Sequence, residues 1–207
     1  MEVHGPVTAP QREALSRIQR SGKHLLALIN DVLNFAKLEA GRVEYMPRDV
    51  KLADAVASVS PMIDSQLRAK GLSYEVRVDP TIVARVDLDK LQQVLLNLLS
   101  NAVKFTASGG RITVETPGNG EGAADPDHVV LRVSDTGIGI PRDKLGLIFD
   151  PFVQVHRKLT NSVEGSGLGL AISRDLARGM GGDLLASSVE GDGSTFTLVL
   201  PRASSGA

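Results

Sequence analysis

The chain has 207 residues, of which 42% are hydrophobic and 3% aromatic, and its formal net charge is −1. This length allows one full domain with an appendage around an aliphatic core, while the balanced charge and scarce aromatics exclude a general affinity for nucleic acid or acidic lipid. The absence of cysteine excludes disulfides and thiolate metal sites.

The first predicted element is a long helix over residues 11–40. Its apolar residues recur at alternating spacings of three and four, which is typical of a coiled-coil or bundle helix: Leu15, Ile18, Gly22, Leu25, Ile29, Val32 and Ala36. A single helix cannot bury such a stripe, so we expect a second helix to cover it, in a partner or in another copy of the chain. Packing on the chain's own globular part is the alternative.

The pattern changes at residue 42 to alternating strands and helices. It predicts a short strand with an entry turn over 43–52, helices over 53–70, 87–105 and 168–179, and strands over 74–78, 111–114, 129–133, 184–189 and 195–200. This order predicts a mixed α/β layer domain over 42–202, preceded by a helical region over 1–41 and followed by a tail over 203–207.

Three polar residues of the 87–105 helix fall on one face. Asn97, Asn101 and Lys104 are spaced four and three apart, beside an apolar stripe that must be buried elsewhere. An amide oxygen suits Mg²⁺, which bridges phosphates, and a lysine supplies a point charge for phosphate oxygens. A solvated polar face is the alternative interpretation.

An acid on a glycine turn follows the strand over 129–133. The Asp135 carboxylate can accept a hydrogen bond from an exocyclic amine. Gly137 and Gly139 allow positive φ and the close approach of a flat ring. Taken alone this motif is weak, because an ordinary turn has the same composition.

A second glycine segment over 165–170 leads into a helix, whose free N–H groups and dipole favour phosphate. No lysine follows it, which excludes a P-loop, and Leu170 stands where a dinucleotide fingerprint requires glycine. The preceding segment, 141–164, is long for a connection and predicts a lid. Phe149 and Phe152 would seat this lid, and Arg157 could reach phosphate or simply be solvated.

These segments resemble the sequence boxes of sensor histidine kinases. The N box, the first glycine box, the phenylalanine box, the second glycine box and the final strand motif correspond to residues 97–105, 135–140, 149–152, 165–170 and 193–196. The resemblance covers roughly residues 11–201. It implies the ATP-binding domain shared with gyrase, Hsp90 and MutL-type ATPases, an α/β two-layer sandwich with helices on one face of a mixed sheet.

The resemblance also implies roles for single residues. Asn101 would ligate Mg²⁺, Lys104 would contact phosphate, and Asp135 would bind the adenine amine. The remaining candidate ATP-binding residues lie against adenine or hold the phosphates and the lid hinge: Asn97, Phe105, Gly137, Gly139, Ile140, Phe149, Arg157, Gly165, Ser166, Gly167, Leu168, Gly169 and Thr195.

One position separates kinases from hydrolases of this superfamily. The ATPases place a Glu one turn before the Mg²⁺-binding Asn to activate water, whereas this chain has Asn97 there. An amide cannot usefully take a proton from water, so we expect slow hydrolysis and preferred transfer to a protein.

The phosphoacceptor block of the family, a His followed by an acid and a Pro, does not occur in this sequence. None of the histidines has that context: His4, His24, His128 and His156. We therefore expect residues 1–41 to supply only the second dimerisation helix, with no catalytic residue of their own. Binding of ATP·Mg²⁺ without autophosphorylation is the expected behaviour.

The resemblance implies a response regulator receiver domain as a partner, together with a dimerisation helix or a second copy bound through residues 11–40. No stretch approaches the ~20 apolar residues that cross a bilayer, so we expect a cytoplasmic fragment without membrane contact. Two alternatives stay open. An anti-sigma-type serine kinase on the same scaffold is disfavoured by the long helix, and the other is a non-catalytic nucleotide-sensing dimerisation module.

Overall fold

The computed structural model describes residues 7–117, 126–155 and 166–204. The first element is α1 (Ala9–Glu39), which confirms the predicted long helix. It begins with a capping box, in which the Thr8 hydroxyl accepts from the Gln11 amide and the Gln11 side chain accepts from the Thr8 amide. Two backbone N–H groups at the helix start, which have no partner within the helix, are thereby satisfied, so Thr8 and Gln11 determine where α1 begins.

The other elements follow in alternating order. They are β1 (Arg48–Lys51), α2 (Leu52–Lys70), β2 (Ser73–Arg77), β3 (Val83–Val86), α3 (Leu88–Phe105), β4 (Arg111–Glu115), β5 (His128–Asp135), α4 (Gly169–Gly179), β6 (Asp183–Val189) and β7 (Gly193–Pro201). Strand β3 was not predicted. It pairs antiparallel with β1 in a separate two-stranded sheet.

Residues 43–45 are not a strand, contrary to the prediction. The segment between α1 and β1 is held by single contacts and not by pairing with another strand. The Met46 main-chain amide donates to the Asp87 carboxylate at 2.9 Å. Tyr45 packs so closely on Gly179 that a Cβ there would lie 2.0 Å from the tyrosine hydroxyl.

The main sheet has five strands in the order β2-β4-β5-β7-β6, of which β2 and β4 are parallel and the other neighbours antiparallel. Helix α3 packs between α2 and α4, and together they cover one face of the sheet. The mixed sheet with helices on one face, preceded by one long helix, confirms the predicted fold class.

The orientation of α3 is set by its apolar stripe. The stripe is fully buried: Leu91, Val94, Leu95, Leu98 and Leu99. Each such side chain stabilises the fold by about 1.5–3 kcal/mol on burial. Asp87 caps the helix by accepting from the amides of Asp89 and Lys90. Because the stripe packs against the sheet, the row of Asn97, Asn101 and Lys104 faces the space at the C-terminal end of β5.

Strand pairing decides which residues of β7 share the face of Asp135. The register places Asp135 opposite Ser194. Because side chains alternate along a strand, Ser194 and Phe196 face the helices, while Thr195 faces the other side.

Candidate functional site: a cavity between α3, β5 and α4

A cavity of about 360 Å³ opens between α3, the end of β5, the turn after it and the start of α4. Its size is within the range of small-molecule sites. Ten of the predicted residues line it: Asn97, Asn101, Lys104, Phe105, Asp135, Gly139, Ile140, Ser166, Gly167 and Gly169. Three sequence segments therefore meet at one cavity.

Asp135 supplies a buried carboxyl group to the wall. Its side chain is only 9% exposed, and one oxygen accepts from the Gly137 amide at 2.8 Å. Burial raises the pKa of this carboxyl, while hydrogen bonds from the amides of Gly137 and Ser194 work in the opposite direction. A carboxyl with four lone-pair sites retains acceptor capacity for a ligand amine.

The two glycines after Asp135 allow backbone segments of the protein to approach each other. A Cβ at Gly137 would lie 2.6 Å from both the Asp135 carboxylate and the Phe105 carbonyl oxygen. Gly139 has φ +67°, and a Cβ there would lie 2.1 Å from the Val189 carbonyl oxygen. Their close contacts are thus with the chain itself, and Gly137 lies behind the cavity wall.

Asn97 connects α3 to α4. Its Nδ2 donates to the Ser173 hydroxyl at 2.8 Å, and a Cβ at Gly169 would lie 2.4 Å from its Oδ1. This amide therefore has a fixed orientation. Lys104 lies two turns further along the same face, with its ammonium 5.0 Å from the centre of the Phe105 ring.

The segment that leads into α4 is fastened at three points. The Ser166 hydroxyl accepts from the Leu168 amide at 3.1 Å, and the Leu168 side chain is fully buried in the core. Gly167 has φ +72°, and a Cβ there would lie 2.8 Å from the Phe152 carbonyl carbon. Leu168 is apolar and cannot cap α4, so the first amides of the helix are left for the solvent or a ligand.

Helix α1 also contributes to the site, which sequence reasoning missed. Asp31 lines the cavity and accepts a hydrogen bond from the Ser166 hydroxyl at 2.6 Å. The Phe35 ring meets the Phe152 ring edge-to-face at 6.1 Å between centroids. Phe152 has a positive φ of 65°, a conformation that residues other than glycine rarely adopt, and it is 63% exposed.

Four predicted residues lie outside the cavity wall. Gly137 and Leu168 have the packing roles described above. The Phe149 ring lies beneath the Arg174 guanidinium, 4.6 Å from its centroid, and Arg174 also donates to Asp183. The Thr195 hydroxyl pairs with the Ser134 hydroxyl at 2.9 Å on the far side of the strand. The predicted positions Arg157 and Gly165 lie outside the described residues.

Further lining residues were not predicted: Asp31, Gln93, Ser100, Ile148, Val153, Gln154, Val155, Leu170, Ile172, Ser173, Ser194 and Phe196. Gln93 lies one turn before Asn97, so the polar row itself contained that signal. Ser194 could have been found from the pairing of β5 with β7, but a register is not visible in one sequence.

The side chains around the cavity fit a particular kind of metal site. Among the described residues there is no group of three or more His, Cys, Asp or Glu side chains placed to hold an ion. The α3 row offers neutral amide oxygens beside a lysine. Such a donor set suits an ion that takes most of its ligands from phosphate and water, as Mg²⁺ does.

Within the described ranges, no helix is long and apolar enough to cross a membrane.

Two family models match the chain. The model described as histidine kinase-, DNA gyrase B- and HSP90-like ATPase matches residues 86–204, and the His kinase A (phospho-acceptor) domain matches residues 2–41. The first match contains α3, the end of β5 and the start of α4, which are the three segments that meet at the cavity. The second contains α1.

Similar proteins include an uncharacterised sensor-like histidine kinase of Rhizobium meliloti (strain 1021), 41% identical over 199 residues, which cover 95% of this chain and 37% of that protein. This chain thus spans well under half of that relative.

Among solved structures, full-length ShkA in complex with AMPPNP is 34% identical, with a TM-score of 0.80 over 98% of this chain and 41% of that one. Histidine kinase ThkA in complex with response regulator protein TrrA shares the fold at 20% identity, with a TM-score of 0.70 over 98% and 55% of the two chains. The chain therefore belongs to the histidine kinase-, DNA gyrase B- and HSP90-like ATPases, and joins that domain to a His kinase A segment as a sensor histidine kinase does.

Proposed function

We propose that the cavity binds ATP with Mg²⁺ and that the chain transfers the γ-phosphoryl group to a histidine on a dimerisation helix outside this sequence. The observation that carries this proposal is the meeting of Asp135, the Asn101–Lys104 row and the start of α4 around one cavity. One side offers a carboxylate for a base, and the other offers a cation and helix amides for phosphates.

The base would bind at the end of β5. The Asp135 carboxylate accepts the exocyclic amine, and the apolar side chains of Ile140 and Phe196 line the same cavity. A buried acid that receives two backbone N–H groups is held in one orientation, which discriminates an amino group from a carbonyl at that position of the base.

The triphosphate would extend toward α3 and α4. Lys104 would supply a positive charge, and the start of α4, where Gly169 and Leu170 line the same cavity, would offer the amides of a helix N-terminus. Asn101 is the residue that would hold Mg²⁺, whose chemistry is to neutralise charge on the phosphates. Gly167 and Gly169 keep the backbone close to the neighbouring segments, so the amides stay in place.

Transfer rather than hydrolysis follows from the state of Asn97. An amide has no basic lone pair for a water proton, and its Nδ2 is already engaged by Ser173. We therefore expect the γ-phosphoryl group to persist until a protein nucleophile reaches it.

The acceptor would be delivered through α1. The exposed apolar stripe of this helix is suited to a bundle with another helix, and the match to the His kinase A domain supports dimerisation. The same match favours a histidine kinase over an anti-sigma-type serine kinase. The proposed onward acceptor is the receiver domain of a response regulator; ThkA is seen in complex with response regulator protein TrrA.

Titration calorimetry with ATP, ADP and AMP in magnesium tests the nucleotide part of the proposal. The transfer part is tested with labelled ATP, with and without a separate His-bearing dimerisation hairpin from a sensor histidine kinase. We expect acid-labile label on the hairpin, little phosphate release, and no label on this chain alone.

Each other outcome has a distinct meaning. Stoichiometric acid-labile label on this chain alone would contradict the placement of the acceptor outside the sequence. Acid-stable label on an anti-anti-sigma protein would favour the serine kinase. Nucleotide binding without transfer to any acceptor would leave a nucleotide-sensing module.

A further inference from the structure

Lys70, the last residue of α2, caps the helix that carries the polar row. Its ammonium group lies 2.7 Å from the Val103 carbonyl oxygen, 3.0 Å from that of Lys104 and 3.1 Å from that of Thr106. An ammonium has three N–H donors, and here each has a backbone acceptor. These carbonyls belong to the end of α3, where carbonyls have no partner within the helix.

The last turn of α3 is also hydrogen-bonded to the turn that follows Asp135. The Phe105 carbonyl oxygen, which lies between the acceptors of Lys70, receives the Ile138 amide at 3.3 Å. Ala102, one turn earlier, accepts from both the amide and the hydroxyl of Thr106. The carbonyls of residues 102–106 are therefore all engaged, three of them by a single side chain.

Lys70 does not line the cavity, but one of the residues whose carbonyl it binds, Lys104, does, and so does Phe105, which lies between its acceptors. Lys104 and Phe105 face the cavity from the turn whose carbonyls point to Lys70. A cation at this end also opposes the negative pole of the α3 dipole. Removal of the ammonium would leave three partly buried carbonyls without their donor and would release the turn that presents Lys104.

We propose that Lys70 is a positioning residue of the nucleotide site. It fixes the last turn of α3, and through the Phe105 carbonyl also the turn after Asp135, so that both sides of the cavity keep their spacing. This inference rests on the proposed function of the cavity as an ATP site.

The test is calorimetric titration of Mg·ATP into Lys70→Met, which keeps an unbranched side chain of nearly the same length but has no donors. At a temperature well below its unfolding midpoint, we expect Kd to rise about tenfold with binding stoichiometry unchanged. A purely structural role would lower the stoichiometry and leave Kd as it is. Lys51→Met, at an exposed lysine just before α2, is the matched control and should bind like the parent chain.

Lys70→Arg and Lys70→Gln complete the series and cover the case in which Lys70→Met does not fold. Arginine keeps charge and several donors, and glutamine keeps two, so Kd should rise in the order parent, Arg, Gln, Met. Equal Kd values across the folded members of this series would overturn the proposal.

Hydrogen exchange separates this inference from the proposed function. In the free protein, the amides of Thr106 and Ile138 should exchange faster in Lys70→Gln than in the parent, while the Leu131 amide in the core of β5 should not. If the parent chain fails to bind Mg·ATP, the proposed function is wrong. If the parent binds and these amides and Kd are unchanged in the variants, the role of Lys70 is wrong.

Discussion

Asp135 is a carboxyl group whose burial opposes its ionisation. Desolvation raises its pKa, and only the two backbone amides that bond to it offset part of that effect. The free protein therefore holds an acid in a place that disfavours its charge, and a bound base amine would supply the missing donor. Ionisable groups whose surroundings disfavour the charged form are common at binding sites.

The substitution Asp135→Asn tests this residue directly. It keeps the shape of the side chain and removes the charge, so we expect nucleotide affinity to fall by about 1.5–3 kcal/mol. Calorimetric Kd values for ATP in the parent and the variant measure the change, with Asp192→Asn in the exposed β6–β7 turn as the control. An unchanged Kd in Asp135→Asn would remove this residue from the site.

The raised pKa of Asp135 also predicts how stability depends on pH. Between its ordinary value of 3.8 and the raised pKa, the folded chain binds more protons at this group than the unfolded chain, so this contribution to stability is lost as pH rises. Urea unfolding of the parent and Asp135→Asn over that range should show the parent losing stability relative to the variant. A constant difference between the two proteins would contradict the raised pKa.

At the scale of elements, α1, α2 and α3 could be predicted because each combines an apolar periodicity with an end signal. Asp87 caps the N-terminus of α3, and Gly71, which has φ +59°, ends α2, each at the position that the sequence indicated. Strand β3 was missed because four residues with one charged member give no clear alternation. The 43–45 segment has alternation, yet it forms no strand: Tyr45 packs on Gly179 at the end of α4, and the next residue, Met46, donates its amide to Asp87.

Some residues of the candidate site could likewise be predicted from the sequence, and others could not. Asn97, Asn101 and Lys104 were accessible to sequence reasoning because helical spacing alone places them together. Asp31 was not accessible, since its position in the cavity depends on how α1 lies against α4, a tertiary contact. The position of Thr195 outside the cavity wall was not accessible either, because the sequence does not show which face of β7 is turned to the helices.

The turn after Asp135 is an element whose geometry requires glycine. We expect Gly139→Ala to destabilise the domain by more than about 1 kcal/mol, because φ is +67° and the new Cβ would meet the Val189 carbonyl oxygen. Gly146→Ala is the control in the next turn, where nothing lies within 4 Å of an added Cβ. Chemical denaturation of both variants measures the difference, and equal stabilities would contradict the close packing of this turn on β6.

At the scale of the whole molecule, α1 carries seven large hydrophobic side chains that are exposed. The exposed side chains include Leu15, Ile18, Leu25, Leu26, Ile29, Val32 and Leu33. Contacts of α1 with the globular part are seen in the C-terminal half of the helix, at Asp31 and Phe35. The rest of the stripe is left for another helix.

Sedimentation of the chain over a range of concentrations should therefore reveal self-association. Ile18→Lys places a charge on the stripe and should weaken association strongly, because a bundle interface cannot bury an unpaired ammonium. Ser16→Lys, off the stripe on the same helix, should associate like the parent chain. A strictly monomeric parent at high concentration would count against a homodimer through α1.

The hydrogen bond from Ser166 to Asp31 and the contact of Phe152 with Phe35 have a thermodynamic consequence. One helix carries both the exposed apolar stripe and two side chains, Asp31 and Phe35, that touch Ser166 in the cavity wall and Phe152 next to it. If a second helix on α1 changes the affinity of the cavity for a ligand by some factor, the ligand must change the affinity of the helix association by the same factor. Dimer affinity measured with and without nucleotide would thus give the coupling free energy between association through α1 and ligand binding in the cavity. The same value describes the effect of association on ligand affinity.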